Sequence, residues 1–139
     1  MYEYRDSNSS PYEEERRKFP RSLRLKKKRE FERVYKNGRR YWNKTFVIYI
    51  LPNGINVTRL GLTVSKKVGK SVKRNRVKRL IRESFRLSQE QIMPGYDIVV
   101  VAQPRACGLK CQQAQSELLS LFRRGRILKT SFEALQANE

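Results

Sequence analysis

Hydrophobic and polar positions alternate along this chain in a pattern that predicts helix–strand–strand–helix–strand–helix. Arg24–Asn37 (RLKKKREFERVYKN) places Leu25, Phe31, Val34 and Tyr35 on an apolar side and runs into Gly38, which predicts a helix with a glycine cap. Lys44–Leu51 (KTFVIYIL) is rich in β-branched and aromatic residues and turns at Pro52-Asn53-Gly54, as a strand would. Arg59–Ser65 alternates. Leu60, Leu62 and Val64 point one way, and Gly61, Thr63, Ser65 and then Lys67 the other. Beside Tyr49, taken to lie on the neighbouring strand, that second row would make a shallow trough suited to a single nucleic-acid strand, or else a plain solvent-facing sheet.

A Lys-Lys-Val-Gly-Lys loop leads into a basic amphipathic helix. At 100° per residue, Val77, Leu80, Ile81 and Phe85 share one arc, while Asn75, Lys78, Arg79, Arg82 and Arg86 share the opposite one. Pro94-Gly95 breaks the chain before Tyr96–Ala102, a continuous apolar strand expected to be buried on both faces. A last helix over Lys110–Arg124 carries Ala114, Leu118, Leu121 and Phe122 as its stripe, with Gly125 closing it and Ile127 and Leu128 packing locally. Strand, helix, strand in that order implies a parallel pair, which ordinarily crosses over right-handed. The class is α+β: a small two-layer sandwich of a central mixed sheet with helices, over residues 23–128. Residues 1–22 are polar, hold Pro11 and Pro20, and read as a disordered extension, either inert or an RNA-contacting arm through Arg16, Arg17 and Lys18. Residues 129–139 read as a frayed tail.

Charge narrows the partners. The chain has 32 Lys and Arg against 13 acids, a formal net charge of +19. That directs attention to nucleic acid or an anionic membrane surface. The longest apolar run, Phe46–Leu51, is far short of the ~20 residues a membrane helix needs, and no signal-peptide pattern is present, so a cytoplasmic protein with no membrane partner is expected. Arg59–Arg86 alone holds eleven cations and one acid, Glu83. Like charges at Arg74/Lys78, Lys78/Arg82 and Arg82/Arg86 repel by a few tenths of a kcal/mol per pair, so the missing counter-charge is expected from a polyanion.

Catalytic chemistry is poorly supplied. Histidine is absent, which removes a histidine general base. The acids Glu30, Glu32, Glu83, Glu90, Asp97, Glu117 and Glu133 show no clustering of the kind metal-dependent phosphodiester hydrolysis uses. Glu83 reads as an ion-pair partner for its arginine neighbours. Cys107 and Cys111 cannot complete a zinc site and read as reduced thiols with no disulfide partner. No helix-turn-helix, zinc finger or basic zipper is visible, and the Lys/Arg-Gly-Phe signature of a common RNA-binding fold is missing. A binding protein, recognising backbone shape and unpaired nucleotides, fits these residues.

The run RLGLTVSKKVG from Arg59 to Gly69, followed by KRNRVKRLIRE from Lys73 to Glu83, closely resembles the bacterial ribonuclease P protein component family. The likeness extends from about Leu25 to Phe122 and includes Phe31, Val34, Tyr35, Gly38 and the run Phe46-Val47-Ile48-Tyr49. The resemblance implies the small subunit of an RNA-based endoribonuclease that removes the 5′ leader from precursor tRNA, one protein per RNA. The large RNA would carry catalysis and the Mg2+ it requires, with no cofactor assigned to the protein and no catalytic residue on it. By position, Lys66, Lys70, Arg74, Asn75, Arg76, Lys78, Arg79 and Arg82 would meet the catalytic RNA. Phe31, Tyr35, Tyr49 and Lys67 would line a central cleft for the single-stranded leader, which implies partial exposure of Phe31 and Tyr35 where periodicity alone favours the core. Tyr35 stands where the family often has Phe. The implied fold resembles the second domain of ribosomal protein S5, with a left-handed strand–helix–strand crossover. A structural ribosomal RNA-binding protein is the rival class, and a protein-only nuclease a more distant one.

Overall fold

A computed structural model describes residues 21–129, so the expected extension and tail lie outside it except for Arg21, Ser22 and Lys129. After a 3-10 turn at Arg21–Leu23 come α1 (Lys28–Asn37), β1 (Arg39–Trp42), β2 (Phe46–Pro52), β3 (Arg59–Thr63), α2 (Ser71–Ser88), β4 (Tyr96–Ala102) and α3 (Cys111–Arg124). The sheet order is β1-β2-β4-β3. β1–β2 and β2–β4 are antiparallel, while β3–β4 is the expected parallel pair. The mixed sheet with three helices is the α+β architecture that the pattern predicts.

β4 occupies the interior because it is apolar on both faces, with Ile98, Val99 and Val100 all fully buried. One face joins Phe46, Ile48 and Ile50 of β2 and Ile98 and Val100 of β4 to Val77, Ile81 and Phe85 of α2 and Leu118, Leu121 and Phe122 of α3. The rings of Phe85 and Phe122 meet edge to face, 6.2 Å apart. Ser84 and Ser88 lie in the same buried seam, each hydroxyl donating to the carbonyl one turn earlier, Leu80 O at 2.7 Å and Ser84 O at 2.9 Å. Their small size and internal pairing let α2 and α3 approach with their hydroxyls satisfied. Ile127, expected only to pack locally, is fully buried in this core.

The opposite face is covered by α1, through Val34 against Val99 and Leu25. Here the structure adds to the sequence reading at three points. The first helix begins at Lys28, not Arg24. The Glu30 carboxylate accepts the backbone N–H groups of Lys26 (3.1 Å) and Lys27 (3.0 Å), which makes Lys27 the start of the helix. Arg24 and Leu25 are extended along the outer edge of β3, the Leu25 N–H donating to Leu60 O at 2.9 Å. Secondly, Gly38 caps α1 as expected, with an extended backbone (φ −79°, ψ 157°); glycine is required because a Cβ would stand 2.5 Å from Val34 O. Thirdly, β1 was not foreseen, since Arg39-Arg40-Tyr41-Trp42 carries too few apolar residues to register as a strand; it gains its place by pairing with β2 through a turn built on Asn43, whose Oδ1 accepts the N–H groups of Thr45 and Phe46.

A buried carboxylate ties this α1 face together. Asp97 of β4 has no solvent exposure. Arg59 of β3 donates to both its oxygens (Nε to Oδ1 2.8 Å, Nη2 to Oδ2 2.7 Å). Arg33 of α1 donates to Oδ2 at 2.6 Å, and Asn53 after β2 donates to Oδ1 at 3.0 Å. Burial pushes this carboxyl up, but the hydrogen bonds from Arg59 and Asn53 and the charges of Arg59 and Arg33 outweigh it and hold Asp97 below its ordinary value.

Two predictions follow from this packing. Asp97→Asn is expected to cost about 2–3 kcal/mol at neutral pH, less than a fully buried pair because both arginines are partly in water. Because the folded carboxyl titrates below its unfolded value, its contribution is complete above about pH 4 and is lost as pH falls through the folded value. Urea melts from pH 7 to pH 2 should therefore show the gap between wild type and variant closing in acid; a constant gap contradicts the assignment. Gly61→Ala would place a Cβ 2.8 Å from Phe31 Cζ and 3.1 Å from Leu25 Cβ. It should cost about 1–3 kcal/mol, and Phe31→Leu should relieve that loss in a double-mutant cycle.

Candidate nucleic-acid interface

Aromatic rings on the α1 face form a file. α1 presents Phe31 and Tyr35 four residues apart on one side. Their ring centroids are 6.4 Å apart, and Tyr35 meets Tyr49 of β2 edge-on at 4.9 Å. The Tyr35 hydroxyl and Thr63 Oγ1 hydrogen-bond at 2.6 Å, which fixes the ring across the end of β3. Tyr35 remains 37 % exposed, and Phe31 and Tyr49 are part-buried. These are the partly exposed rings that the sequence resemblance implies, rather than the buried ones that periodicity favours.

The trough is built differently from the sequence expectation. β3 does not neighbour β2; β4 lies between them, and the cross-sheet row runs Tyr49–Val99–Gly61. The space above Gly61 is filled by the edge of the Phe31 ring. The next row, Val47–Val101–Thr63, continues toward the loop that carries Ser65, Lys66 and Lys67. Lys67 is exposed on that loop, with its backbone N–H on Ser65 Oγ at 3.3 Å. It shares the end of the sheet with Thr63 without touching the aromatic file.

The basic helix divides as the wheel predicts. Val77, Ile81 and Phe85 are buried, while Asn75, Arg76 and Arg79 are exposed. Lys66 and Lys70 are exposed on the preceding loop. Arg74 is partly committed to the fold, donating from Nε to Gly69 O (3.2 Å) and from Nη2 to Ser71 Oγ (3.2 Å). Arg86, on the cationic arc of the wheel, pairs with Glu83 at 2.5 Å, the ion-pair role expected of Glu83.

Lys78 and Arg82 turn toward a cleft of about 370 Å³ that they share with Arg24, Lys26 and Phe31 above Leu25, Leu60 and Leu62. Burial pulls the Arg82 guanidinium below its ordinary value, and the nearby charge of Arg24 adds to the effect. No ion pair to Arg82 forms among the described residues. Four cations around an apolar floor make a receptive site for an anion carrying a flat apolar group. The cleft brings together Phe31 and the Lys78–Arg82 pair, which the sequence had assigned to two separate surfaces. Arg24 and Lys26 were missed, because a helical reading of Arg24–Asn37 spreads them around a cylinder instead of along the β3 edge.

Two acids of the α1 face are engaged within the fold. Asp97 is saturated by Arg59, Arg33 and Asn53, and Glu30 by backbone N–H groups, with Arg59 Nη1 3.5 Å away. Among the described residues no group of three or more His, Cys, Asp or Glu is placed to hold a metal ion. Nor, among the same residues, is any helix long and apolar enough to cross a membrane.

Comparison with known proteins identifies the family and the fold. The family model described as Ribonuclease P matches residues 19–126. The ribonuclease P protein component of Alkaliphilus oremlandii is 44% identical over 108 residues, covering 78% of this chain and 95% of that protein. The one from Caldanaerobacter subterraneus is 57% identical over 79 residues, 57% of this chain and 68% of the relative. Among solved structures, the RNase P protein of Staphylococcus aureus superposes with a TM-score of 0.70 at 37% identity, covering 77% of this chain and 98% of its own. That of Thermotoga maritima gives 0.68 at 34%, covering 73% and 96%. Sequence, fold and matched length converge, and the chain belongs to the ribonuclease P protein component family.

Proposed function

We propose that this chain, as the protein subunit of ribonuclease P, docks on the catalytic RNA through its basic helix and holds the 5′ leader of precursor tRNA along its aromatic file. The observation that supports this most directly is the meeting of the two surfaces at Phe31, where that single ring from α1 and the cations Lys78 and Arg82 from α2 line one cleft. The exposed cations Lys66, Lys70, Arg76 and Arg79, with Lys78 and Arg82, neutralise RNA phosphates and release counterions, and the neutral Asn75 amide adds hydrogen bonds. Tyr35 and Tyr49, with Phe31 behind them and Lys67 at the end of the sheet, hold unpaired nucleotides by stacking and phosphate contact. Each stacked base is worth roughly 1–3 kcal/mol.

This energy is available only to a substrate that has a leader. It favours precursor over mature tRNA without any protein group touching the scissile bond. The protein charge also screens repulsion between two RNAs, which lowers the magnesium concentration that the RNA needs. The chemistry stays with the RNA and its magnesium, while Asp97, Glu30 and Glu83 serve structural pairs within the protein. One protein per catalytic RNA, working in the cytoplasm, is the assembly this reading implies. A ribosomal role would use the same charge but has no need of an exposed aromatic file beside it.

Cleavage of a precursor tRNA at low magnesium tests the reading. The combination of catalytic RNA and protein should cut at the leader junction, and neither part should do so efficiently alone. Cutting by the protein alone contradicts the division of labour, and a protein that adds nothing to the RNA points to the ribosomal reading. For the file itself, Tyr49→Ala and Lys67→Ala are each expected to weaken holoenzyme binding of precursor roughly five- to hundred-fold and leave mature tRNA binding unchanged. Equal losses for both RNAs would remove the leader from the trough.

A further inference from the structure

The α1 face does not end at Tyr49. Pairing of β1 with β2 sets Arg40 opposite Tyr49 and Trp42 opposite Val47. Residues opposite one another in a sheet share a face, with Cβ atoms about 5 Å apart. The file Phe31–Tyr35–Tyr49 therefore continues onto Arg40 and Trp42 at the free edge of the sheet. Trp42 is the chain's single tryptophan and is 52 % exposed. The Arg40 guanidinium carbon lies 4.8 Å from the centroid of its indole.

The strand that carries this pair is held from its other side. Tyr41 packs against the core, and Arg39 donates from Nη2 to Gly125 O at 3.1 Å and from Nη1 to the Tyr41 hydroxyl at 3.0 Å. Arg124 of α3 donates to the Trp42 carbonyl at 2.8 Å. A large exposed ring on an anchored backbone has no role in the core; it is preorganised to be covered by something else. A guanidinium stacked on indole offers a flat surface to a base and a charge to the phosphate beside it. With +19 overall, contiguity with the aromatic file and no acid in the pair, the fitting occupant is single-stranded RNA.

We infer that Arg40 and Trp42 form an additional stacking site for a leader nucleotide, extending the trough past Tyr49 to the β1 edge. The inference rests on the leader-trough reading above. Its consequence is a dependence on leader length: leaders long enough to pass Tyr49 gain the extra contact, and short ones do not.

The single tryptophan reports on its own site. Holoenzyme reconstituted with catalytic RNA would be titrated with precursor tRNA bearing a long leader, with the same precursor cut back to one or two leader nucleotides, and with mature tRNA. The expected result is quenching of Trp42 fluorescence by the long-leader precursor alone. Trp42→Ala should weaken binding of that precursor roughly five- to hundred-fold, leave the short-leader precursor unaffected, and be largely rescued by Trp42→Phe. If Tyr49→Ala weakens precursor binding while Trp42 gives no signal and Trp42→Ala binds normally, the trough stands and this extension of it is wrong. If neither residue matters, the trough reading falls with it. Quenching on addition of catalytic RNA alone would assign the site to that RNA and overturn the inference.

Discussion

The buried carboxylate of Asp97 is the constraint on which the aromatic side of this protein depends. It gathers β3, β4, the turn after β2 and α1 onto a single anion. α1 is a ten-residue helix, too short to be stable by itself in water. It holds its place because Val34 sinks between Val99 and Leu25 and because Arg33 reaches Asp97. Phe31 and Tyr35 project from this helix, so the aromatic file is only as well positioned as that attachment. A strongly basic protein has few acids to spare, and this one uses its buried carboxylate and Glu30 to set the helix that carries its rings.

The other side of the sheet solves a different problem. A helix with like charges at successive i,i+4 positions resists forming alone. α2 is stabilised by tertiary burial of Val77, Ile81 and Phe85 against the sheet and α3, with Ser84 and Ser88 allowing the close approach. The hydrophobic face thereby offsets the repulsion on the cationic face, and Arg76 and Arg79 stay exposed to solvent. Arg74 and Arg86 are exceptions: one caps the loop before the helix and the other answers Glu83. The fold that carries this helix is the one shared with the superposed RNase P proteins of Staphylococcus aureus and Thermotoga maritima.

How much of this could be read from the residues varies with the range of the interaction that decides it. The elements and their class follow from local periodicity, so three helices, the three apolar strands and the cationic face of α2 are determined by the sequence itself. The run from Arg59 to Glu83 also carries enough specific residues to indicate the family. β1 escaped because Arg39, Arg40 and Trp42 become a strand only through their pairing with β2. The start of α1 shifted because Glu30 claims the backbone N–H groups ahead of Lys28, and the Leu60 carbonyl claims that of Leu25.

What the tertiary structure alone decided is which residues stand together. Periodicity gives a face for each element but not the order of strands, which depends on where a doubly apolar strand such as β4 can be buried. That order separated Tyr49 from Gly61, brought Phe31 over the glycine, and joined Arg24 and Lys26 to Lys78 and Arg82 around one cleft. It also laid Arg40 and Trp42 beside Tyr49. The sequence determined that this protein would carry an amphipathic helix with a dense cationic face. The site itself was decided by long-range pairing, because cross-strand neighbours are chosen by burial across the whole sheet and not by spacing along the chain.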